Sequence, residues 1–265
     1  MSFSGKAAYR LLKIMTTVFP SMKADYTDLD TELEKARKIN EKNQYVFPTD
    51  HKSLYKEITI RGYPCLIIRS RKTENKKNKA MLFIYGGETI QWKSEIGMAR
   101  GYGDRTGMDV WYPIYPPITE VNITVTISVL YDTYCKMVKK YGAENIAIVG
   151  DSMGGLFAAG IIHQINKRQE GLGMPKLFIA NSPSGVPDTA EDWEEMERYA
   201  SQDPFFTMNA FRGLAEIACH GRETPKDAYC PVYMDFHNAP VTYMYFAEEI
   251  CAGNARAYQA AYEKT

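Results

Sequence analysis

One hexapeptide constrains this chain more than any other stretch. Gly150-Asp151-Ser152-Met153-Gly154-Gly155 follows the apolar run Ile146-Ala147-Ile148-Val149 and opens a second apolar stretch that continues to about Lys167. A buried strand that turns straight into a helix must fold its backbone tightly. Small residues on both flanks allow that turn and leave the central hydroxyl exposed. The start of the following helix aims backbone N–H groups and a partial positive charge at the same point. A glycine-rich turn with an incidental serine is the competing reading. The register of strand, elbow and helix weighs against it, so Ser152 is expected to be a nucleophile.

The surrounding pattern is that of an α/β protein. Residues 1 to about 45 read as helical and amphipathic, with Leu11, Leu12, Met15 and Val18 spaced for one face, then a charged helix over Asp28–Asn43. Lys56–Arg61 alternates, Gly62-Tyr63-Pro64 turns, and Cys65–Ile68 follows, which predicts a β-hairpin. Met81–Tyr85, Asp109–Tyr112, Asn145–Val149, Lys176–Ala180 and Val241–Phe246 read as short strands. Between them lie helical stretches: one through Met98, one with Ile123, Ile127, Leu130, Tyr134, Met137 and Tyr141 on a single face closed by Gly142, and one from Ser152 to about Lys167. Asn254–Lys264 is a last helix, with Ala255, Tyr258 and Tyr262 on one face. Such alternation predicts a mostly parallel sheet covered on both faces, with its site at the carboxyl ends of the strands. Gly101-Tyr102-Gly103 follows a helical stretch and lacks a properly placed third glycine, so a dinucleotide-binding fold is not favoured.

Composition narrows the partners. Lys plus Arg and Asp plus Glu both number 32, which gives no general pull toward nucleic acid or an anionic membrane. The basic stretch Arg69–Lys79 has no aromatic residue and reads as a solvated loop. No apolar run approaches the ~18 residues that span a bilayer, and the N-terminus, interrupted by Lys13, lacks a clear signal-peptide cleavage site. Cys65, Cys135, Cys219, Cys230 and Cys251 form an odd set without close pairs, as expected of reduced thiols in the cytoplasm. No metal-ligand spacing is visible, and no cofactor is expected.

If Ser152 attacks an acyl group, the tetrahedral oxyanion needs donors. Gly86 and Gly87, just after a buried strand, and the backbone N–H of Met153 are the candidates.

These residues carry a resemblance. Tyr85-Gly86-Gly87-Glu88 resembles the His-Gly-Gly-Gly stretch of hormone-sensitive-lipase-like esterases, with Tyr85 and Glu88 as departures. Tyr112-Pro113-Ile114-Tyr115-Pro116 is similar to their Tyr-Pro-Leu-Ala-Pro, and Gly150–Gly155 to their Gly-Asp-Ser-Ala-Gly-Gly. Ser182-Pro183, Tyr229–Tyr233, Glu249-Ile250 and Ala255 continue the match, which covers about residue 55 to the end. The resemblance implies one α/β-hydrolase domain over 1–265, with a helical cap made from about 1–45 and 184–230. It also implies hydrolysis of small or medium carboxylic esters without cofactor. Trp193, Tyr199, Phe205, Phe206 and Phe211 are expected to close an apolar pocket over Ser152.

By the same resemblance the triad carboxylate follows Val241–Phe246, where Glu248 and Glu249 both stand; the spacing to the next helix favours Glu249. The base should be a histidine after the acid, but His51, His163, His220 and His237 all precede it, and each reads as a structural residue. The expectation is therefore a truncated sequence or a protein without the last strand and base. Little ester hydrolysis is expected from this 265-residue form, and the edge exposed along Val241–Phe246 is expected to be covered either by self-association, as in a homodimer, or by further residues. A non-catalytic binding protein of the same fold is the alternative.

Overall fold

The computed structural model describes residues 15, 23–74, 78–87, 95–201, 203–219, 221–247 and 249–265. Apart from Met15, the amphipathic helix expected over Leu11–Val18 lies outside them. The charged helix is α1, Leu29–Lys42, capped by Asp28, whose carboxylate accepts from the Thr31 N–H and hydroxyl.

Seven strands form one sheet: β1 (Ser53–Ile60), β2 (Tyr63–Ser70), β3 (Ala80–Ile84), β4 (Asp109–Pro113), β5 (Ile146–Asp151), β6 (Leu177–Asn181) and β7 (Val241–Tyr245). Their spatial order is β1-β2-β4-β3-β5-β6-β7. The hairpin β1–β2 is longer at both ends than the alternation alone marks, and β2 joins β4 antiparallel. Every pairing from β4 to β7 is parallel. All five residues of β3 and all five of β4 are buried, as strands covered on both faces must be.

The crossover helices are α2 (Glu95–Thr106), α3 (Ile123–Tyr141) and α4 (Met153–Arg168). From β3 the chain steps to β4 on one side, then returns past β3 to β5 on the other. Right-handed crossovers therefore put α2 on one face and α3 with α4 on the opposite face. Reversal of winding opens a crevice above the carboxyl ends of β3 and β5, where Tyr85-Gly86-Gly87 and Ser152 lie. Helix α2 runs past Met98 and takes in Gly101-Tyr102-Gly103, which settles that segment as helix interior.

The insertion between β6 and β7 carries α5 (Ala190–Ala200) and α6 (Met208–Cys219). The Ala24 N–H donates to Phe205 O (2.8 Å), and the Thr207 N–H returns to Ala24 O (3.1 Å), stitching the segment before α1 to this insertion. The last helix, α7 (Ala255–Glu263), buries Ala257, Tyr258 and Ala261. Its covered face is thus centred two residues beyond Ala255, with Tyr262 stacked on Phe236 at 4.1 Å.

Among the described residues β7 pairs only with β6, and Val241, Tyr243 and Tyr245 are 60%, 51% and 58% exposed. An uncharged, apolar edge of this kind templates strand pairing. Any self-association through this edge is expected to weaken in Tyr243→Lys, read by sedimentation, while the melting temperature stays within about 2 °C, because the side chain is solvated.

Candidate active site

Ser152 sits between β5 and α4 with φ +52°, a conformation that side-chain-bearing residues adopt at a cost of roughly 1–3 kcal/mol. The turn is held from three sides. The Ser152 N–H donates to Asn181 O (2.8 Å), and Ser152 O accepts from the N–H groups of Gly155 (2.8 Å) and Ser184 (3.1 Å). A Cβ on Gly150 would lie 2.3 Å from Gly154 O, and one on Gly154 would lie 2.2 Å from Ile84 O. Glycine at both positions is a geometric requirement of this elbow.

The loop after β3 runs against the serine. A Cβ on Gly86 would be 3.1 Å from Ser152 Cβ and 3.0 Å from Asp151 O, so its backbone stands beside the hydroxyl. Gly87 has φ +95°. The loop is anchored by the Tyr115 hydroxyl, which donates to Tyr85 O, with the two rings stacked at 4.4 Å. The Met153 N–H, first of α4, has no acceptor within its own helix. Gly86, Gly87, Met153 and Ser152 are thus brought together. Glu88 lies outside the described residues.

Glu249 stands at the start of the turn Ile250–Asn254 after β7. The Ser182 hydroxyl hydrogen-bonds its carboxylate, while Oε1 is buried without a partner. Burial pushes the Glu249 carboxyl above its ordinary range, the Ser182 bond opposes that shift, and the Asp203 charge adds to it. Asp203, itself 1% exposed, fixes this region: Oδ2 accepts from the Ile250 N–H (2.9 Å), and Oδ1 from the N–H groups of Phe205 and Phe206. No local pattern in the sequence marks Asp203, and Tyr115, though inside the Tyr112–Pro116 stretch, is given no role by it. Glu248 lies outside the described residues.

A narrow cavity of about 10 Å³ opens at Ser152, lined by Tyr26, Ser184, Phe206, Ala210, Phe211, Leu214 and Cys251. Of the aromatics expected to close it, Phe206 and Phe211 do so, edge to face at 5.8 Å; Trp193 and Tyr199 do not line it, and Phe205 points to solvent at 52% exposure.

Among the described residues no histidine reaches Ser152. His163 is eleven residues down α4, roughly 16 Å along the axis, with Nδ1 accepting from the Asp235 N–H and Nε2 3.1 Å from Asp227. His51 and His237 precede β1 and β7, at the amino ends of strands whose carboxyl ends carry the site. His220 lies outside the described residues. No three His, Cys, Asp or Glu side chains among the described residues gather as a metal-binding group, and no helix there is long and apolar enough to cross a membrane.

No curated protein sequence matches the chain. Solved structures share its fold at low identity. An esterase/lipase from an uncultured bacterium superposes with TM-score 0.74 at 16% identity, covering 100% of this chain and 85% of the other. An esterase from the bacterial hormone-sensitive lipase family gives 0.69 at 18%, covering 88% and 84%. A hormone-sensitive lipase from a metagenome library gives 0.72 at 19%, covering 97% and 84%. The family model described as alpha/beta hydrolase fold matches residues 73–265. That match takes in the sheet from β3 onward and both sides of the Ser152 elbow, and the chain belongs to the α/β-hydrolase fold family.

Proposed function

We propose that this protein is a serine esterase of the hormone-sensitive-lipase-like kind, acting on small or medium carboxylic esters through an acyl-enzyme on Ser152. One observation carries the reading: a strained serine at φ +52° lies against the Gly86 backbone, while Glu249, two residues before the cavity-lining Cys251, keeps a buried oxygen with no partner. In this mechanism Ser152 attacks the carbonyl carbon. The N–H groups of Gly86, Gly87 and Met153 receive the oxyanion, each such donor being worth roughly 3 kcal/mol of transition-state stabilisation. Glu249 accepts from the N–H of an imidazole, holds its tautomer and stabilises the imidazolium. Its unpaired Oε1 supports that role. The five cysteines, none of them in a disulfide, support a reducing, cytoplasmic setting.

Because no described histidine reaches Ser152, free imidazole is the direct test. Turnover of p-nitrophenyl butyrate, corrected with the Ser152→Ala chain in the same buffer, is expected to rise with imidazole. Glu249→Gln should lower the imidazole-dependent rate by about 100-fold or more, since a misaligned base loses most of its effect. Full rates in Glu249→Gln would remove the carboxylate from the mechanism. No Ser152-dependent turnover under any condition would instead favour a non-catalytic binding role.

The cavity limits the substrate. Phe211 is 4% exposed and forms its wall, so Phe211→Leu is expected to raise kcat/KM for hexanoyl over butyryl esters. A gain of about threefold or more is expected, in line with the worth of one or two methylenes in an apolar pocket. An unchanged chain-length profile would show that the acyl group binds elsewhere.

A further inference from the structure

The insertion between β6 and β7 grips the Glu249 turn. Helix α5 packs directly on it: a Cβ on Gly253 would lie 2.3 Å from Met196 Cγ and 2.6 Å from Met196 Cα. Asp203 follows α5, is buried, and donates its N–H to Tyr199 O (3.1 Å) and Ala200 O (3.3 Å). Its carboxylate is shared between two segments. Oδ1 accepts from the N–H groups of Phe205 (2.7 Å) and Phe206 (2.8 Å), and Oδ2 from the N–H of Ile250 (2.9 Å), in the peptide that follows Glu249. Phe206 and Cys251 in turn line the cavity at Ser152.

Local structure accounts for only half of this arrangement. A turn of the Asp203–Phe206 kind needs one side-chain oxygen for the N–H groups ahead of it, and asparagine or serine can supply one. Burying a charge instead is costly. The charge also bears on a second carboxylate: burial pushes the Glu249 carboxyl up, the Ser182 bond opposes that, and the Asp203 charge adds to the rise. Neighbouring buried acids weaken a fold, and they gather at functional sites. A carboxylate offers what an amide lacks, a second acceptor oxygen. Here that oxygen holds the Glu249 turn, 47 residues away.

We propose that Asp203 is a positioning residue, fixing the alignment of Glu249 with one carboxylate oxygen and the Phe206 wall of the cavity with the other. This deepens the esterase reading and rests on it: one buried side chain sets both the acid that orients the base and the wall that receives the acyl group. Asp203 does not line the cavity, so it acts through Glu249 and Phe206.

Asp203→Asn separates the two tasks. The amide oxygen is expected to stay with the two N–H groups of Phe205 and Phe206, which turns Nδ2 toward the Ile250 N–H, donor against donor. With imidazole present, kcat for p-nitrophenyl butyrate should fall about tenfold or more while KM stays within about twofold, because the acyl wall is kept. In a double-mutant cycle, adding Asp203→Asn to Glu249→Gln should lower kcat by less than about twofold further, since no acid is left to align. Thr189→Ala, which strips the α5 cap from the Asp192 N–H, is the control for looser packing, and kcat should stay within about twofold. Losses that multiply in the double variant, or a Thr189→Ala loss as large as that of Asp203→Asn, would overturn the proposal.

Amide hydrogen exchange on the unaltered protein needs neither a variant nor turnover. The Phe205, Phe206 and Ile250 amides should exchange slowly and open together, and in Asp203→Asn the Ile250 amide alone should exchange about tenfold or more faster. An Ile250 amide that exchanges as fast as an open peptide in the unaltered protein would overturn the proposal even if Asp203→Asn does not fold. Protection of Ile250 that depends on Asp203, without Ser152-dependent turnover, would uphold the clamp on the Glu249 turn and defeat the esterase reading.

Discussion

Ser152→Ala is expected to lower imidazole-supported ester hydrolysis by about 10⁴-fold or more and to abolish labelling by a fluorophosphonate probe, as loss of a nucleophile does in serine hydrolases. The expectation comes from the backbone. Ser152 is held at φ +52° by hydrogen bonds to Asn181, Gly155 and Ser184, so its Cβ cannot rotate away from the Gly86 loop. Alanine keeps the same strained conformation and should fold normally. Ser152→Gly removes the conformational penalty as well as the hydroxyl, so it should be inactive yet more stable by about 1 kcal/mol. Probe labelling that persists in Ser152→Ala, mapped by peptide mass spectrometry, would sink the assignment of the nucleophile.

Gly154→Ala should be among the most damaging single-methyl additions in the chain. Its Cβ would sit 2.2 Å from Ile84 O and 2.4 Å from Tyr85 O. Both are backbone atoms: Ile84 ends the buried strand β3 and pairs with Gly150 of β5, and Tyr85 O is held by the Tyr115 hydroxyl, so neither retreats easily. The expected loss is about 3 kcal/mol or more of stability, seen as a melting temperature lower by about 6 °C or more. Reactivity of Ser152 should fall with it, since relief of the clash can come only by displacing the elbow from the Gly86 loop. Gly97→Ala is the control. Its Cβ meets only Arg100 Nη2 at 3.9 Å inside α2, and the exchange should be neutral or slightly stabilising. Equal melting temperatures for the two variants would contradict this packing.

The features legible in the sequence are those whose causes are local. The elbow could be read because Gly150 and Gly154 answer to contacts made within one strand–turn–helix unit and its neighbouring strand. Helix α3 could be read from the spacing Ile123 to Tyr141 and its Gly142 cap, and α1 from the strongly charged run Asp28–Asn43. The parallel sheet followed from the alternation of apolar runs with helical periods, and its site end from strand polarity.

Other features needed the chain to be folded. Helix α2 passes through Gly101-Tyr102-Gly103 because Gly103 is buried, where even a Cβ would reach to 3.5 Å from Val110. Close helix-to-strand packing there outweighs the roughly 1 kcal/mol that a glycine costs in a helix. Phe205 and Phe206 are chemically alike neighbours, yet one faces solvent and the other lines the cavity, since Asp203 and the strand-like contact with Ala24 fix their directions. Asp203 holds the Glu249 turn across 47 residues, and Tyr115 holds the Gly86 loop across 30. Sequence by itself determined the α/β-hydrolase frame and the serine elbow, because short-range backbone geometry demands particular residues at particular places. Only the tertiary structure decided which carboxylates are buried, which oxygens are left unpaired and which aromatics line the cavity. Burial and charge are properties of surroundings assembled from distant segments, and no local pattern encodes them.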